Sequence, residues 1–344
     1  MDKKFDVVIG NPPYGEEAAG SGTRETPIYH LFMDAAYEVA DKVVMITPAR
    51  FLFNAGFTPK AWNQRMLADP HLSVSHYAPN SDSLFPGTDI KAGIAVTYRD
   101  ASSQGDPVGT FTRHPQLNEI LRKVRTSNEP SIEPLITSSR SYRYTPALYE
   151  VYPDLIALRP QGNQALISTN TFAQFDSVLR PSRPEDAQSY ARILGLSGRD
   201  REYRWIRSDF VTGPDAFNAH KVAVAKATGS GVLGEALASP LVIGPQTAVT
   251  QSFITIGAFD TDTAAEACLA YVKSKFARAL LGVLKVTQDN PAKVWHHVPL
   301  QDFTPSSDID WTKPIPEIDQ QLYAKYGLEA DEIAFIEDKV KPME

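Results

Sequence analysis

The tetrapeptide Asn11-Pro12-Pro13-Tyr14 follows directly on the apolar run Phe5-Asp6-Val7-Val8-Ile9-Gly10. A strand that ends in this way sets the Asn11 side-chain amide oxygen and the Pro12 backbone carbonyl side by side at its carboxyl edge. Both are acceptors, and an exocyclic amino group has two protons to donate. The prolines hold φ at about −65° and keep the loop from collapsing into helix. Tyr14 adds a flat face on which a purine can stack. Together these groups could grip the amine of a base swung out of its helical stack. The same residues also read as an ordinary turn after an ordinary buried strand, so the surrounding chain has to decide.

Strands and helices alternate from Met1 to about Asp100. Strand Val7 to Ile9 leads into the loop, and a helix follows over about Ile28 to Ala40, with Leu31, Ala35 and Val39 on one stripe. Strand Lys42 to Ile46, a helix near Pro59 to Leu67, and strands Ser73 to Tyr77 and Ile94 to Arg99 complete the region. This is the pattern of the C-terminal half of a doubly wound, Rossmann-like α/β sheet. Between Glu16 and Thr26 there is no apolar anchor beyond alanine, which suits either a plain surface connection or a mobile flap over a bound base.

Lys4 to Tyr14 resembles the catalytic loop of the adenine-N6 DNA methyltransferases of bacterial type II restriction–modification systems. The likeness is greatest to the group in which methylase and endonuclease are often fused. Thr47-Pro48-Ala49-Arg50-Phe51-Leu52 resembles the next strand and loop of that family. Asp89-Ile90-Lys91-Ala92-Gly93-Ile94-Ala95-Val96-Thr97-Tyr98 resembles a later strand that lines its adenine pocket. Likeness at Lys226 to Gly231 and at Leu300 to Thr304 extends the match over essentially the whole chain, although only the first motif is highly specific. The resemblance implies duplex DNA as substrate, S-adenosylmethionine as cofactor and direct methyl transfer with no covalent enzyme intermediate. It makes Phe51 a candidate second stacking wall of the base pocket, and Asp89 and Lys91 candidates for its rim. A core place for Phe51 and a surface turn for Asp89 and Lys91 are the alternatives.

In the usual order of that family a glycine-rich cofactor loop lies upstream of the catalytic loop, and ten residues precede Asn11 here. The cofactor-binding half is therefore expected from a partner polypeptide or from a segment outside this sequence. A permuted order would place it downstream, where Gly229-Ser230-Gly231-Val232-Leu233-Gly234 fits G-x-G-x-x-G. Such a loop must open a helix. Pro240 leaves room for about one turn, and no acidic residue lies about twenty positions on. A glycine-rich turn between strands is the better reading of that segment.

From about Gly109 to Phe259 short apolar segments punctuated by proline and glycine suit a mixed α+β recognition domain. Within it Tyr190, Arg192, Arg199, Arg201, Tyr203, Arg204, Trp205 and Arg207 interleave guanidinium and aromatic groups, and Arg140 and Arg143 form a weaker cluster. Arginines can bind phosphate or read guanine, and aromatics can stack on unpaired bases. A solvated strand with core aromatics is the alternative. A long helix over roughly Thr263 to Leu284 then reads as packing. After Pro299 two amphipathic helices are expected, carrying Ile315, Ile318, Leu322 and Tyr326, then Ile333, Ile336 and Val340, with Asp331 as cap of the last. The expected division is a catalytic-loop half over 1–105, a target-recognition domain over 106–299 and an acidic helical tail over 300–344.

The net charge of −7 is unusual for a DNA enzyme, but it is unevenly spread. Residues 113–207 hold 14 Lys plus Arg against 10 Asp plus Glu, whereas residues 300–344 hold 4 against 11. The mildly basic middle is compatible with phosphate contacts. An apolar fraction of 42% supports a real core. The single cysteine, Cys268, excludes a disulfide framework and suits a reducing cytoplasm, and no secretory or membrane-spanning run is apparent. The pair His296-His297 lacks partners at ligand spacing, so no metal is expected. A nuclease site of the Pro-Asp…Asp/Glu-x-Lys type is not evident. The reading is an adenine methyltransferase component, with a catalytically inactive DNA-binding or specificity module as the alternative.

Overall fold

The computed structural model describes residues 4–16, 26–55, 57–90 and 92–343. The chain divides into two compact units, Met1–Asn118 and Glu119–Glu344.

In the first unit the β-branched run Phe5–Gly10 forms strand β1. Helix α1, Tyr29–Val39, leads into strand β2, Ala40–Pro48. Helix α2, Lys60–Leu67, is followed by strands β3, Leu72–Ala78, and β4, Ile94–Asp100. The sheet order is β1-β2-β4-β3. β1 runs parallel to β2, with Val7 opposite Lys42 and Ile9 opposite Val44. β4 is antiparallel to both neighbours, with Met45 opposite Thr97 and Tyr77 opposite Ala95. All four strands fall where the alternation of side chains places them, and the sheet they make is mixed.

β1 is an edge strand whose outer side pairs with no strand among the described residues. Its alternate side chains Phe5, Val7 and Ile9 share one face and are all exposed, Ile9 by 74%, while Val8 on the other face packs on the core. A strand in a parallel pair is ordinarily covered on both faces, so this bare apolar face is unusual.

α1 corrects one expectation. It buries Tyr29, Met33 and Ala36, while Leu31 and Ala35 are exposed. Both stripes are apolar at helical spacing, so periodicity alone could not choose between them. The choice is made by Tyr29, whose ring packs on Phe51 and Trp62.

The boundary between the units falls within helix α3, Pro115–Thr126. Strands β5, Tyr190–Ser197, and β6, Asp200–Arg207, form a hairpin. Strand β7 is His220–Ala225 and strand β8 is Leu241–Ile243. Strand β9, Thr247–Val249, joins β5 in parallel, and strand β10 is Phe253–Phe259. A second sheet has the order β8, β7, β10 and the short pair Ile136–Thr137. This sheet separates two cores. Val222, Val224, Ile254 and Ile256 join the helical core, and Ala223, Ile243 and Phe253 join the core beneath the β5–β6 hairpin.

The single long helix expected after Thr263 is two helices, α4 over Asp262–Lys273 and α5 over Lys275–Leu284. Ser274 interrupts them with an extended ψ of 149°, and its hydroxyl accepts from the Ala277 amide at 3.1 Å as a cap. The buried Asp319 carboxylate accepts from the Lys275 and Phe276 amides at 3.1 and 3.0 Å, completing the new helix start. Helices α6, Ile315–Lys325, and α7, Ala330–Lys339, follow. Ile318, Leu322, Tyr326, Ile336 and Val340 belong to the same core as α3 to α5, so residues 300–343 pack within the unit. The cap of α7 is Glu329, which exchanges hydrogen bonds with Glu332, and Asp331 lies in the first turn. No helix among the described residues is long and apolar enough to cross a membrane.

Candidate functional site

The Asn11–Tyr14 loop leaves the carboxyl end of β1, the edge at which open α/β sheets present ligand sites. The Ile28 amide donates to the Tyr14 carbonyl at 3.2 Å, and Gly15–Glu16 pairs with Thr26–Pro27, so the chain returns beside the loop. The expected flap between these two short strands, residues 17–25, lies outside the described residues. Asn11 and Pro13 are exposed and Pro12 is half-buried. Tyr14 packs partly on the core, and its hydroxyl is buried without a hydrogen-bond partner among the described residues. Burial raises the pKa of that phenol.

Tyr14 lines a cavity of about 190 Å³ together with Tyr29, Pro48, Arg50, Phe57 and Asp89. Three local devices build its far wall. Gly93 takes φ +77° where any Cβ would lie 2.1 Å from the Ala78 carbonyl, and its own carbonyl accepts from the Ala49 amide at 2.9 Å. That ties the Asp89–Gly93 loop to the 3-10 helix Ala49–Phe53, which carries Arg50. Asn54 ends that helix in the left-handed region at φ 50°. The buried Asn63 side chain donates to Asn54 and accepts from Thr58, pinning the turn that holds Phe57. Tyr29 is pushed up to about 12 by burial and cannot act as a base near neutrality.

Of the expected pocket residues, the structure brings Tyr14 and Asp89 together in this cavity. Lys91 lies outside the described residues. Phe51 does not reach the cavity. It is fully buried, with its ring 5.3 Å from Trp62 and 6.4 Å from Tyr29. The apolar wall is instead Phe57, which is 64% exposed and was missed by sequence reasoning. Its signal was local, since it follows Asn54-Ala55-Gly56 and precedes Pro59, a setting for a loop aromatic. Phe51 sits in the continuous apolar run Phe51-Leu52-Phe53, the setting of a core residue.

In the second unit the expected arginines separate. Arg201, Tyr203 and Trp205 share one face of the hairpin with Arg192, whose guanidinium stacks on Tyr203 at 5.0 Å and on Trp205 at 5.7 Å. Arg204 points to the other face over Phe172, where Glu202 at 2.6 Å and Asp176 at 3.5 Å pair with it. Those two carboxylates occupy the guanidinium, which weakens the case for Arg204 as a phosphate ligand. Arg143 is exposed beside Thr212. Arg199, in the turn between β5 and β6, and Arg201 line a cavity of about 710 Å³ with Lys226 and Gln251. Arg140 lines a second cavity, of about 530 Å³, which also includes Gln251. The two cavities share Gln251 as a lining residue, so Arg140, Arg199 and Arg201 line neighbouring cavities. A buried arginine in the second cavity, Arg159, escaped the sequence reading, because nothing in Arg159-Pro160 marks it as enclosed.

The glycine-rich loop does not fit a cofactor. The Glu235 carboxylate accepts from the Ser230 amide at 2.8 Å, the Gly231 amide at 3.0 Å and the Ser230 hydroxyl at 2.7 Å. The amide nest that a dinucleotide-type loop offers to a ligand is thus filled by the chain's own anion. A Cβ at Gly231 would meet the Val286 carbonyl carbon at 2.3 Å, so that glycine serves close packing. Elsewhere, burial pushes the Cys268 thiol up, and His296 Nδ1 lies 2.8 Å from the Glu133 carboxylate. No cluster of metal-ligating side chains occurs among the described residues.

Residues 1–85 match the family model of the Eco57I restriction-modification methylase. The segment that carries the Asn11–Tyr14 loop and most of its cavity is thus similar to the methylase part of restriction–modification systems. No curated protein matches the chain. Among solved structures, the type IIG restriction endonuclease BpuSI is 11% identical, with 97% of this chain and 53% of that one covered and a TM-score of 0.34. The type IIL restriction-modification enzyme MmeI, solved in complex with DNA, is 8% identical, with 97% and 56% covered and a TM-score of 0.32. The ATP-dependent type ISP enzyme LlaBIII, solved bound to DNA, is 12% identical over 84% of this chain and 28% of that one, with a TM-score of 0.21. This chain spans about half the length of the first two. At these scores the likeness decides neither fold nor activity.

Proposed function

We propose that this chain is the catalytic-loop and target-recognition part of a site-specific DNA adenine-N6 methyltransferase from a restriction–modification system. The observation that carries the reading is the Asn11–Tyr14 loop at the carboxyl end of β1, next to a cavity walled by Tyr14, Phe57 and Asp89. The family match over residues 1–85 and the arginine-bearing surface of the second unit support it.

In this reading the flipped adenine enters the cavity between Tyr14 and Phe57. Its amine donates one proton to the Asn11 amide oxygen and the other to the Pro12 carbonyl. Those two bonds orient the nitrogen lone pair, so the work of the chain is positioning and electrostatics. Bound S-adenosylmethionine supplies the methyl group. Because Glu235 fills the glycine loop, the cofactor-binding half is supplied from outside these residues. Its place of attachment is the open edge of β1, where it would cover Phe5, Val7 and Ile9. Duplex DNA is the substrate, and an endonuclease subunit or segment is the natural functional partner.

Calorimetric titration of the purified chain tests this directly. Duplex DNA should bind in the absence of cofactor, and S-adenosylmethionine alone should not. Micromolar S-adenosylmethionine binding would overturn the external cofactor half. DNA binding that never leads to methylation, even with a cofactor-binding half restored, would leave a specificity module in place of an enzyme.

A further inference from the structure

In the second unit Arg159 lies just after the 3-10 segment Pro153–Leu158 and is 7% exposed, yet no carboxylate pairs with it among the described residues. Its neighbours are neutral. One terminal nitrogen donates to the Ser168 hydroxyl and the other to the Thr171 hydroxyl at 2.6 Å. The guanidinium lies over the Phe175 ring at 4.3 Å and the Tyr144 ring at 5.7 Å. Its Nε is buried and has no acceptor among the described residues. Burial pulls its pKa down from the ordinary value, and the Tyr144 and Tyr149 phenols offset part of that fall.

A buried cation is normally paired, because desolvation is repaid only by an opposite charge at close range. Arg159 is also a wall of the cavity of about 530 Å³. The polar lining is Arg140, Asn163, Ser168, Asn170, Gln174 and Gln251, with no carboxylate among the described residues. Arg140 is itself held toward the site by a hydrogen bond to Asn163 at 3.2 Å. The Ser168 hydroxyl already donates to Asn170 at 2.6 Å and the Gln174 amide to the Leu158 carbonyl at 3.1 Å, so the two guanidiniums are the groups that suit this open cavity to a tetrahedral oxyanion.

We propose that this cavity is a phosphate site, in which Arg159 and Arg140 hold one phosphate group. In the setting of the proposed function, that group belongs to the DNA backbone. The source in DNA rests on the DNA-binding reading, whereas the phosphate chemistry does not. A phosphate held in this open pocket fixes the register of the duplex on the second unit without reading a base. Arg199 and Arg201, in the cavity that shares Gln251, then lie along the same backbone.

Two measurements on the full chain test the site and separate it from the DNA reading. The first is the thermal shift with inorganic phosphate, for the wild type and for Arg159→Gln and Arg140→Ala. Arg140 is exposed, so its variant keeps the test valid if Arg159→Gln does not fold. Phosphate should raise the melting temperature of the wild type and lose that effect in each folded variant. The second is duplex affinity against salt. The slope of log affinity on log salt should fall by about one in either variant. A phosphate shift that both variants keep overturns the site. So does an unchanged salt slope in a variant that still binds DNA. A phosphate shift abolished by the variants in a chain that binds no DNA supports the site, assigns it to a small phosphorylated ligand, and sinks the DNA reading alone.

Discussion

The Glu235 carboxylate sits on the Ser230 amide at 2.8 Å, inside the amide nest that the glycine-rich loop forms. The hydrogen bonds from the Ser230 hydroxyl and the loop amides hold its pKa below the usual carboxylate range. A group with a depressed folded pKa adds stability above its ordinary value and loses it as pH falls through the lower folded one. Glu235→Ala should therefore cost about 1 kcal/mol at pH 7, a fall of roughly 2–4 °C in Tm. Wild type and variant should converge on acidification below 4.5, the ordinary value of the group. Thermal melts across pH 3–7, about the titration range of carboxylates, would show it. If Glu235→Ala gained S-adenosylmethionine binding, the loop would be a masked cofactor cradle after all.

Phe51 and Phe57 are six positions apart and should respond in opposite ways. Phe51 is fully buried against Tyr29 and Trp62, so Phe51→Ala should cost about 3–5 kcal/mol of stability. Phe57 is exposed at the cavity, and Phe57→Ala should leave the melting temperature nearly unchanged. It should instead weaken capture of an unpaired adenine by about 1–3 kcal/mol, the usual worth of one base stacked on an aromatic ring. Fluorescence of 2-aminopurine placed in single-stranded DNA, titrated against both variants, distinguishes the two roles. Equal losses for both would remove Phe57 from the site.

The contrast between these two residues marks how far the sequence could be read. Three strands of the first unit, β1, β2 and β4, were legible as short runs rich in Val, Ile and Thr, and Asn11-Pro12-Pro13 marked the end of β1. Which apolar stripe α1 buries was not legible, because Tyr29-Met33-Ala36 and Leu31-Ala35-Val39 have the same period and the aromatic partner comes from distant residues. The break at Ser274 was hidden for a similar reason. A serine within an alanine-rich helix is tolerated, and the Asp319 carboxylate that stabilises the new start is forty-three positions from Phe276. Basic clusters were the least legible. Arg204 and Arg201 are three positions apart, but strand alternation sends them to opposite faces, one to carboxylates and the other to a cavity.

Asn11 is exposed and its side chain holds no part of the core, so Asn11→Ala should fold with wild-type stability. In a reconstituted enzyme with a cofactor-binding half, it should lower the rate of adenine methylation about a hundredfold or more, the scale of losing one preorganised hydrogen bond to the reacting group. Duplex affinity should change little, because the proposed backbone contacts lie in the second unit. Single-turnover methylation beside a binding titration separates the two effects. A variant that methylates at the wild-type rate would take Asn11 out of the chemistry.

Lys221 is the clearest pH probe in the second unit. Its ammonium is wholly buried and donates to the Ala219 and Gly244 carbonyls at 3.0 and 3.1 Å. Burial, with Arg192 adding repulsion, lowers its pKa from 10.5 to about 7. Between those values the unfolded chain binds more protons than the folded one, so stability rises with pH over that window. The gain amounts to a few kcal/mol, roughly, and is absent below the folded value, where both states are protonated. Lys221→Met removes the titrating group and should flatten the rise, while leaving two carbonyls short of a donor and lowering stability at pH 9 or so by about 1–3 kcal/mol. Urea titrations of both proteins at three pH values across the window decide it. Parallel curves for wild type and variant would mean that Lys221 keeps its ordinary charge and that water reaches its ammonium.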